Sequence, residues 1–114
     1  MSRISTHVLD TAKGKPAAGV PVRLERQDSS GKWSAVSSAR TDQDGRCGQL
    51  TPDGAALAAG VYRLTFDTAN YFTACGVESL YPAIEILFRV RSGETHFHIP
   101  LLLSPNGYTT YRGS

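Results

Sequence analysis

The stretch THFHIPLLLSPNGYTTYRGS, residues 95–114, determines the fold that we expect for this chain. Apolar residues recur at every second position of its first half, as in a β-strand, where successive side chains point to opposite faces. SPNG, residues 104–107, predicts a turn, and the residues after it can run back as a last short strand. The row that faces the core consists of Phe97, Ile99, Leu101 and Leu103.

The opposite face of this strand is unusual for a surface exposed to solvent. It combines imidazole rings with apolar side chains, and a proline in mid-strand fits best where its missing N–H faces no ladder partner. We therefore expect this face to meet another subunit or to line a cavity. Its members are His96, His98, Pro100 and Leu102.

Most other segments also alternate with period two and are separated by clusters of Gly, Pro, Asp and Ser, which is typical of strands joined by turns. The pattern predicts an all-β protein, a two-sheet sandwich. In the first strand, Ile4, Thr6 and Val8 share one face, whereas Arg3, Ser5, His7 and Leu9 share the other. The expected strands lie near 3–11, 20–26, 32–41, 60–68, 84–90, 96–103 and 108–114.

Two connections carry specific expectations. TANYFTAC, residues 68–75, is the one stretch for which we predict a short helix. RSGE, residues 91–94, is predicted to form a hairpin between the strand at 84–90 and the closing strand.

Length and charge limit the function. With 114 residues we expect a single domain, residues 1–114, and the net charge of +2 provides no dense positive face for nucleic acid. The sequence contains no run of about 18 apolar residues and begins with no apolar segment of signal-peptide length, so we expect no membrane partner and a cytoplasmic location.

The two cysteines, Cys47 and Cys75, match neither a zinc ribbon nor a CxxC redox motif. We interpret them as free, partly buried thiols.

The histidines allow two interpretations. Strand rise places His96 and His98 about 6–7 Å apart on one face, so that with His7 they could form a three-histidine zinc site. They could equally be half-buried polar residues in a hydrogen-bonded face. Arg46, in the turn DQDGR, is by itself more often a solvated loop arginine.

Three segments together resemble one family over nearly the whole chain. They are THVLDTAKGKPAAGVPVRL at 6–24, TDQDGR at 41–46 and HFHIPLLLSPNGYTTYRGS at 96–114. The chain is similar in these segments to the transthyretin-related 5-hydroxyisourate hydrolases of urate breakdown. The terminal YRGS is the most specific element, because it distinguishes these hydrolases from the transthyretin hormone carriers of the same fold.

The resemblance implies a transthyretin-like sandwich that assembles as a homotetramer with active sites in a central channel. It implies hydrolysis of 5-hydroxyisourate without metal or cofactor, with His7, Arg46 and His98 as catalytic residues. It also implies substrate binding by His7, Arg46, Tyr111 and Ser114 within a tail made of Tyr111, Arg112, Gly113 and Ser114.

We expect His98 to activate water and His7 to assist it, and the sequence leaves the reverse assignment open. Arg112 points away from Tyr111 on the last strand, so we expect it to anchor the tail by pairing. Two other functions remain as alternatives: a carrier that binds a small aromatic ligand in a central channel, and a zinc hydrolase that uses all three histidines.

Overall fold

The computed structural model describes residues 3–52 and 57–113, which form nine strands and one helix. No helix in these two ranges is long and apolar enough to cross a membrane. The elements are β1 Arg3–Asp10, β2 Lys15–Pro16, β3 Pro21–Gln27, β4 Trp33–Arg40, β5 Arg46–Cys47, β6 Gly60–Phe66, α1 Thr68–Ala74, β7 Ile84–Val90, β8 His96–Ser104 and β9 Gly107–Thr110.

The strands form two sheets, and the predicted all-β sandwich with one short helix is confirmed. One sheet has the order β2-β1-β8-β9, with β5 paired to the same edge of β1 as β2. The other has the order β4-β3-β6-β7. β1 and β8 run parallel in continuous register from Arg3 opposite His96 to Asp10 opposite Leu103, whereas the other pairs are antiparallel.

The core lies between the sheets and consists of the rows that period two predicts. Leu101 is fully buried on β8, and its neighbours Phe97, Ile99 and Leu103 are at most 5% exposed. Burying such a side chain stabilises the fold by about 1.5–3 kcal/mol, so these rows fix which face of each strand turns inward.

Helix α1 forms where the sequence predicts it and closes one end of the sandwich. The Asp67 side chain caps it by accepting the Asn70 amide at 3.2 Å. From its inner side, the Tyr71 hydroxyl donates to the buried Asp10 Oδ2 at 2.7 Å. The helix is thereby tied to the end of β1.

The hairpin predicted at residues 91–94 is wrong. β7 pairs with β6 in one sheet, and β8 pairs with β1 in the other, so this segment crosses between the sheets. The turn itself forms, with Gly93 at φ +87° and the Glu94 amide donating to the Arg91 carbonyl. A tight turn, however, does not determine which strands pair; the crossing lets Phe88 and Phe97 face each other across the core, with ring centroids 6.0 Å apart.

Pro100 lies where β8 needs no N–H donor. The Gly113 amide donates to the His98 carbonyl at 2.7 Å. Because backbone groups alternate in direction along a strand, those of His98 and Pro100 both face the C-terminal tail. β9 ends at Thr110, so it is shorter than the strand predicted over 108–114, and the Thr110 hydroxyl donates to the Pro100 carbonyl at 2.7 Å. The proline therefore faces the gap between β9 and Gly113.

Candidate active site

The parallel pairing of β1 with β8 places two polar rows side by side on the outer face of one sheet. Ser5 lies opposite His98, and Arg3 lies opposite His96. The Ser5 hydroxyl and His98 Nδ1 are 2.8 Å apart, within hydrogen-bonding distance. His98 is thus held by a side chain of the neighbouring strand.

Arg46 reaches the same face from the other edge of β1, where β5 places it directly opposite His7. The Asp42 carboxylate accepts the Asp44 and Arg46 amides at 2.8 and 3.0 Å. Gly45 is required in this turn, because its φ is +76° and a Cβ there would lie 2.3 Å from the Val8 carbonyl oxygen. The turn therefore fixes the backbone of Arg46 against β1.

The C-terminal tail closes the third side. A Cβ at Gly113 would lie 2.6 Å from His98 Cδ2, so only a glycine lets the tail approach the imidazole this closely. Arg112 anchors the tail by pairing, as predicted: its guanidinium lies 3.2 Å from Glu94 Oε2 and donates to the His96 carbonyl at 3.2 Å. It also stacks over the Phe97 ring at 4.3 Å.

These elements surround a cavity of about 400 Å³ that is open to solvent. Two guanidinium groups, two imidazoles and a hydroxyl belong to the residues around this one space. Such a lining suits a small, polar, planar ligand better than an apolar one. The lining residues are Arg3, Ser5, Thr6, Arg46, Gly48, His96, Phe97, His98 and Gly113.

The candidate residues are only partly brought together. His98 and Arg46 line the cavity. His7 is partly buried on the same sheet face, one row further along β1, and lies outside the lining. Tyr111 also lies outside it and is 56% exposed. Ser114 lies outside the described residues.

Arg3 and Ser5 line the cavity but are not among the candidates that the sequence predicts. The alternation of β1 already places them on the same face as His7. Their proximity to His98, however, depends on the parallel pairing with β8, which no local pattern reveals.

The charge state of His98 suits a base. Burial lowers the pKa of His98, and the positive charges of His7, Arg46 and Arg3 lower this pKa further. The imidazole is therefore neutral at neutral pH and can accept a proton. The neighbouring thiol is inert, because burial, with a smaller contribution from Asp42, raises the pKa of Cys47 to about 11. Cys47 and Cys75 are both free, as predicted.

The three-histidine zinc hypothesis lacks its ligand set. Within residues 3–52 and 57–113, no three or more side chains of His, Cys, Asp or Glu group closely enough to hold a metal ion. His7, His96 and His98 lie on one sheet face but do not form such a cluster.

The fold and the cavity define a two-sheet β-sandwich with a polar, histidine-containing site on the outer face of one sheet. The chain belongs to the HIUase/Transthyretin family, whose family model matches residues 4–113.

Similar proteins include 5-hydroxyisourate hydrolases and transthyretins. The 5-hydroxyisourate hydrolase of Mus musculus is 47% identical, over 99% of this chain and 96% of its own. The structure of Klebsiella pneumoniae 5-hydroxyisourate hydrolase superposes with a TM-score of 0.87 at 40% identity, covering 100% of both chains. Sea bream transthyretin in complex with thyroxine reaches 0.90 at 32% identity, covering 97% of this chain and 94% of its own. The backbone fold therefore does not distinguish a hydrolase from a carrier.

The Gly45→Ala substitution should lower the free energy of unfolding by roughly 3 kcal/mol, because it combines backbone strain with a clash against the Val8 carbonyl. Gly14→Ala is the matched control: Gly14 has a similar φ of +70°, but a Cβ there meets nothing within 4 Å. Gly14→Ala should lower the free energy of unfolding by roughly 1 kcal/mol. Urea denaturation measures both, and equal losses would contradict the role of Gly45 in holding Arg46 against β1.

The pKa of His98 should lie below the usual range of histidine and should rise when a neighbouring positive charge is removed. An NMR titration of the ring protons of His98 tests this in the wild type and in Arg3→Gln. Arg23→Gln, a change on the other sheet, serves as the control and should leave the titration unchanged. A pKa of His98 unaffected by Arg3→Gln would contradict the charge arrangement described above.

Proposed function

We propose that this protein is an enzyme of urate degradation that hydrolyses 5-hydroxyisourate. The product is 2-oxo-4-hydroxy-4-carboxy-5-ureidoimidazoline. Relatives with this activity in their names match nearly the full chain at 40–47% identity. The observation that carries the proposal is the cavity on the outer face of one sheet that His98 and Arg46 line together.

Ring opening requires an activated water and a group that stabilises the oxyanion. His98 removes a proton from the water, whose oxygen bonds to the carbonyl carbon of a ring amide. The tetrahedral intermediate collapses by breaking the C–N bond; the ring nitrogen takes a proton and a carboxylate remains. His7 assists as hydrogen-bond partner or proton donor, and the mechanism involves no metal or cofactor.

Arg46 binds the ring carbonyls and the developing negative charge through the planar fork of its guanidinium. The turn at Gly45 and the pairing of β5 with β1 support this role, since they fix the point from which the side chain extends. Tyr111 and Ser114 orient the substrate from the tail, which Arg112 anchors.

We also propose a single-domain subunit, residues 1–114, that acts as a homotetramer in the cytoplasm. The edge strands β7 and β9 support association, because they expose the large apolar side chains Leu87 and Tyr108 at 62% and 43%. Leu102, on the outer face of β8, is only partly buried by the chain itself and supports a channel between subunits.

A carrier of small aromatic ligands is the second candidate, because sea bream transthyretin shares the fold. The cavity favours the hydrolase, since a carrier has no need of two guanidiniums and a neutral imidazole around one space.

A turnover measurement separates these functions. 5-Hydroxyisourate, generated from urate with a urate oxidase, is supplied in large excess over the protein, and its decay is followed by absorbance. A hydrolase consumes many equivalents per subunit, whereas a carrier sequesters at most one equivalent per binding site. Decay no faster than the spontaneous reaction would exclude the hydrolase.

His98→Ala and His7→Ala should each lower kcat by roughly 10² or more, because each removes a group that transfers or orients a proton. Steady-state kinetics measures the loss, and circular dichroism confirms that the variants keep the wild-type fold. Near wild-type turnover in either folded variant would remove that histidine from the mechanism.

Arg46→Lys should lower kcat/KM, because an ammonium group cannot reproduce the bidentate contact of a guanidinium. Arg40→Lys, on β4 of the other sheet, is the matched control and should behave as the wild type. If Arg46→Lys keeps wild-type kcat and KM, Arg46 is a solvated loop arginine.

A further inference from the structure

The Ser5 side chain is fixed relative to His98 more firmly than an ordinary surface hydroxyl. Its neighbours in β1, Ile4 and Thr6, are 0% and 1% exposed, so the strand cannot slide without exposing the core. The Thr6 hydroxyl donates to the Ile99 carbonyl at 2.6 Å, which holds β1 against β8 one residue beyond the Ser5–His98 pair. Ser5 therefore presents its hydroxyl to one ring nitrogen.

Two edges of the His98 ring are occupied by protein. Nδ1 lies 2.8 Å from the Ser5 hydroxyl. The Cγ–Cδ2 edge faces Gly113, where an added Cβ would lie 3.2 and 2.6 Å from these two atoms. The Cε1–Nε2 edge remains for the cavity that His98 lines. Nε2 is consequently the ring nitrogen that can meet a water molecule.

We propose that Ser5 is a positioning residue that holds the neutral His98 with its proton on Nδ1. In this tautomer Nδ1–H donates to the Ser5 oxygen, and the lone pair of Nε2 points into the cavity. Gly113 supports the arrangement by preventing the ring from tilting away from Ser5. This inference rests on the proposed function, because it specifies how its general base is prepared.

The hydrogen bond between His98 and Ser5 also stabilises the protonated ring that forms during the reaction more than it stabilises the neutral ring. When Nε2 takes a proton from water, the ring becomes an imidazolium, and the Nδ1–H···Oγ bond becomes charge-assisted and stronger. The Ser5 oxygen thus stabilises the charge that appears on the ring during the reaction.

The tautomer is observable without any turnover. Long-range ¹⁵N–¹H correlation spectra of the wild-type protein, recorded above the pKa of His98, distinguish a protonated Nδ1 from a protonated Nε2 by their ¹⁵N shifts. We expect the proton on Nδ1 in the wild type and a redistribution toward Nε2 in Ser5→Ala. A proton on Nε2 in the wild type, or a distribution unchanged by Ser5→Ala, overturns the proposal.

Kinetics then tests the consequence. Ser5→Ala should lower kcat roughly 10- to 100-fold with a smaller change in KM, since its main effect is to misplace the base. Ser5→Thr keeps the hydroxyl and should restore most of the activity. The control, Ser104→Ala, removes a hydroxyl from the same strand as His98 that donates to the Gly107 carbonyl, and its kcat should match the wild type.

The outcomes separate this inference from the function on which it rests. A wild-type protein that fails to hydrolyse 5-hydroxyisourate overturns the proposed function, whereas the spectra still decide whether Ser5 sets the tautomer. A wild-type protein that turns over, with Ser5→Ala as fast as Ser104→Ala, overturns the positioning role alone.

Discussion

The parallel pairing of β1 with β8 is the constraint on which the rest of this structure depends. It joins the first and last long strands of the chain, and its register is fixed because a slip by one residue would turn every buried side chain outward. The same register places Ser5 against His98, and β5 adds Arg46 at the other edge of β1. One pairing thus forms the core on its inner face and the site on its outer face.

The sequence predicts the parts of this arrangement that depend on local patterns. Alternation identifies the buried row from Phe97 to Leu103, and the helix predicted for 68–75 forms over Thr68–Ala74. Alternation does not specify strand partners, however, so the predicted hairpin at 91–94 was wrong. For the same reason Ser5 was assigned to the correct face of β1 but not recognised as the partner of His98.

Function in this family depends on side chains more than on the backbone. The chain superposes as well on a thyroxine-bound transthyretin as on a hydrolase, so a shared fold cannot decide between transport and catalysis. We propose that the difference depends on a few groups at one sheet face: a partly buried imidazole whose pKa is lowered by burial, the guanidinium of Arg46, and a tail glycine that contacts the ring. These groups suit proton transfer to and from a polar ring.

We propose that His98, acting without a metal, opens the ring of 5-hydroxyisourate at this face. The most direct test follows the decay of 5-hydroxyisourate by absorbance with exhaustively chelated wild-type protein and with chelated His98→Ala beside it. We expect fast decay that survives chelation in the wild type and is lost in the variant. Loss of wild-type activity on chelation, with recovery when zinc is restored, would contradict this proposal.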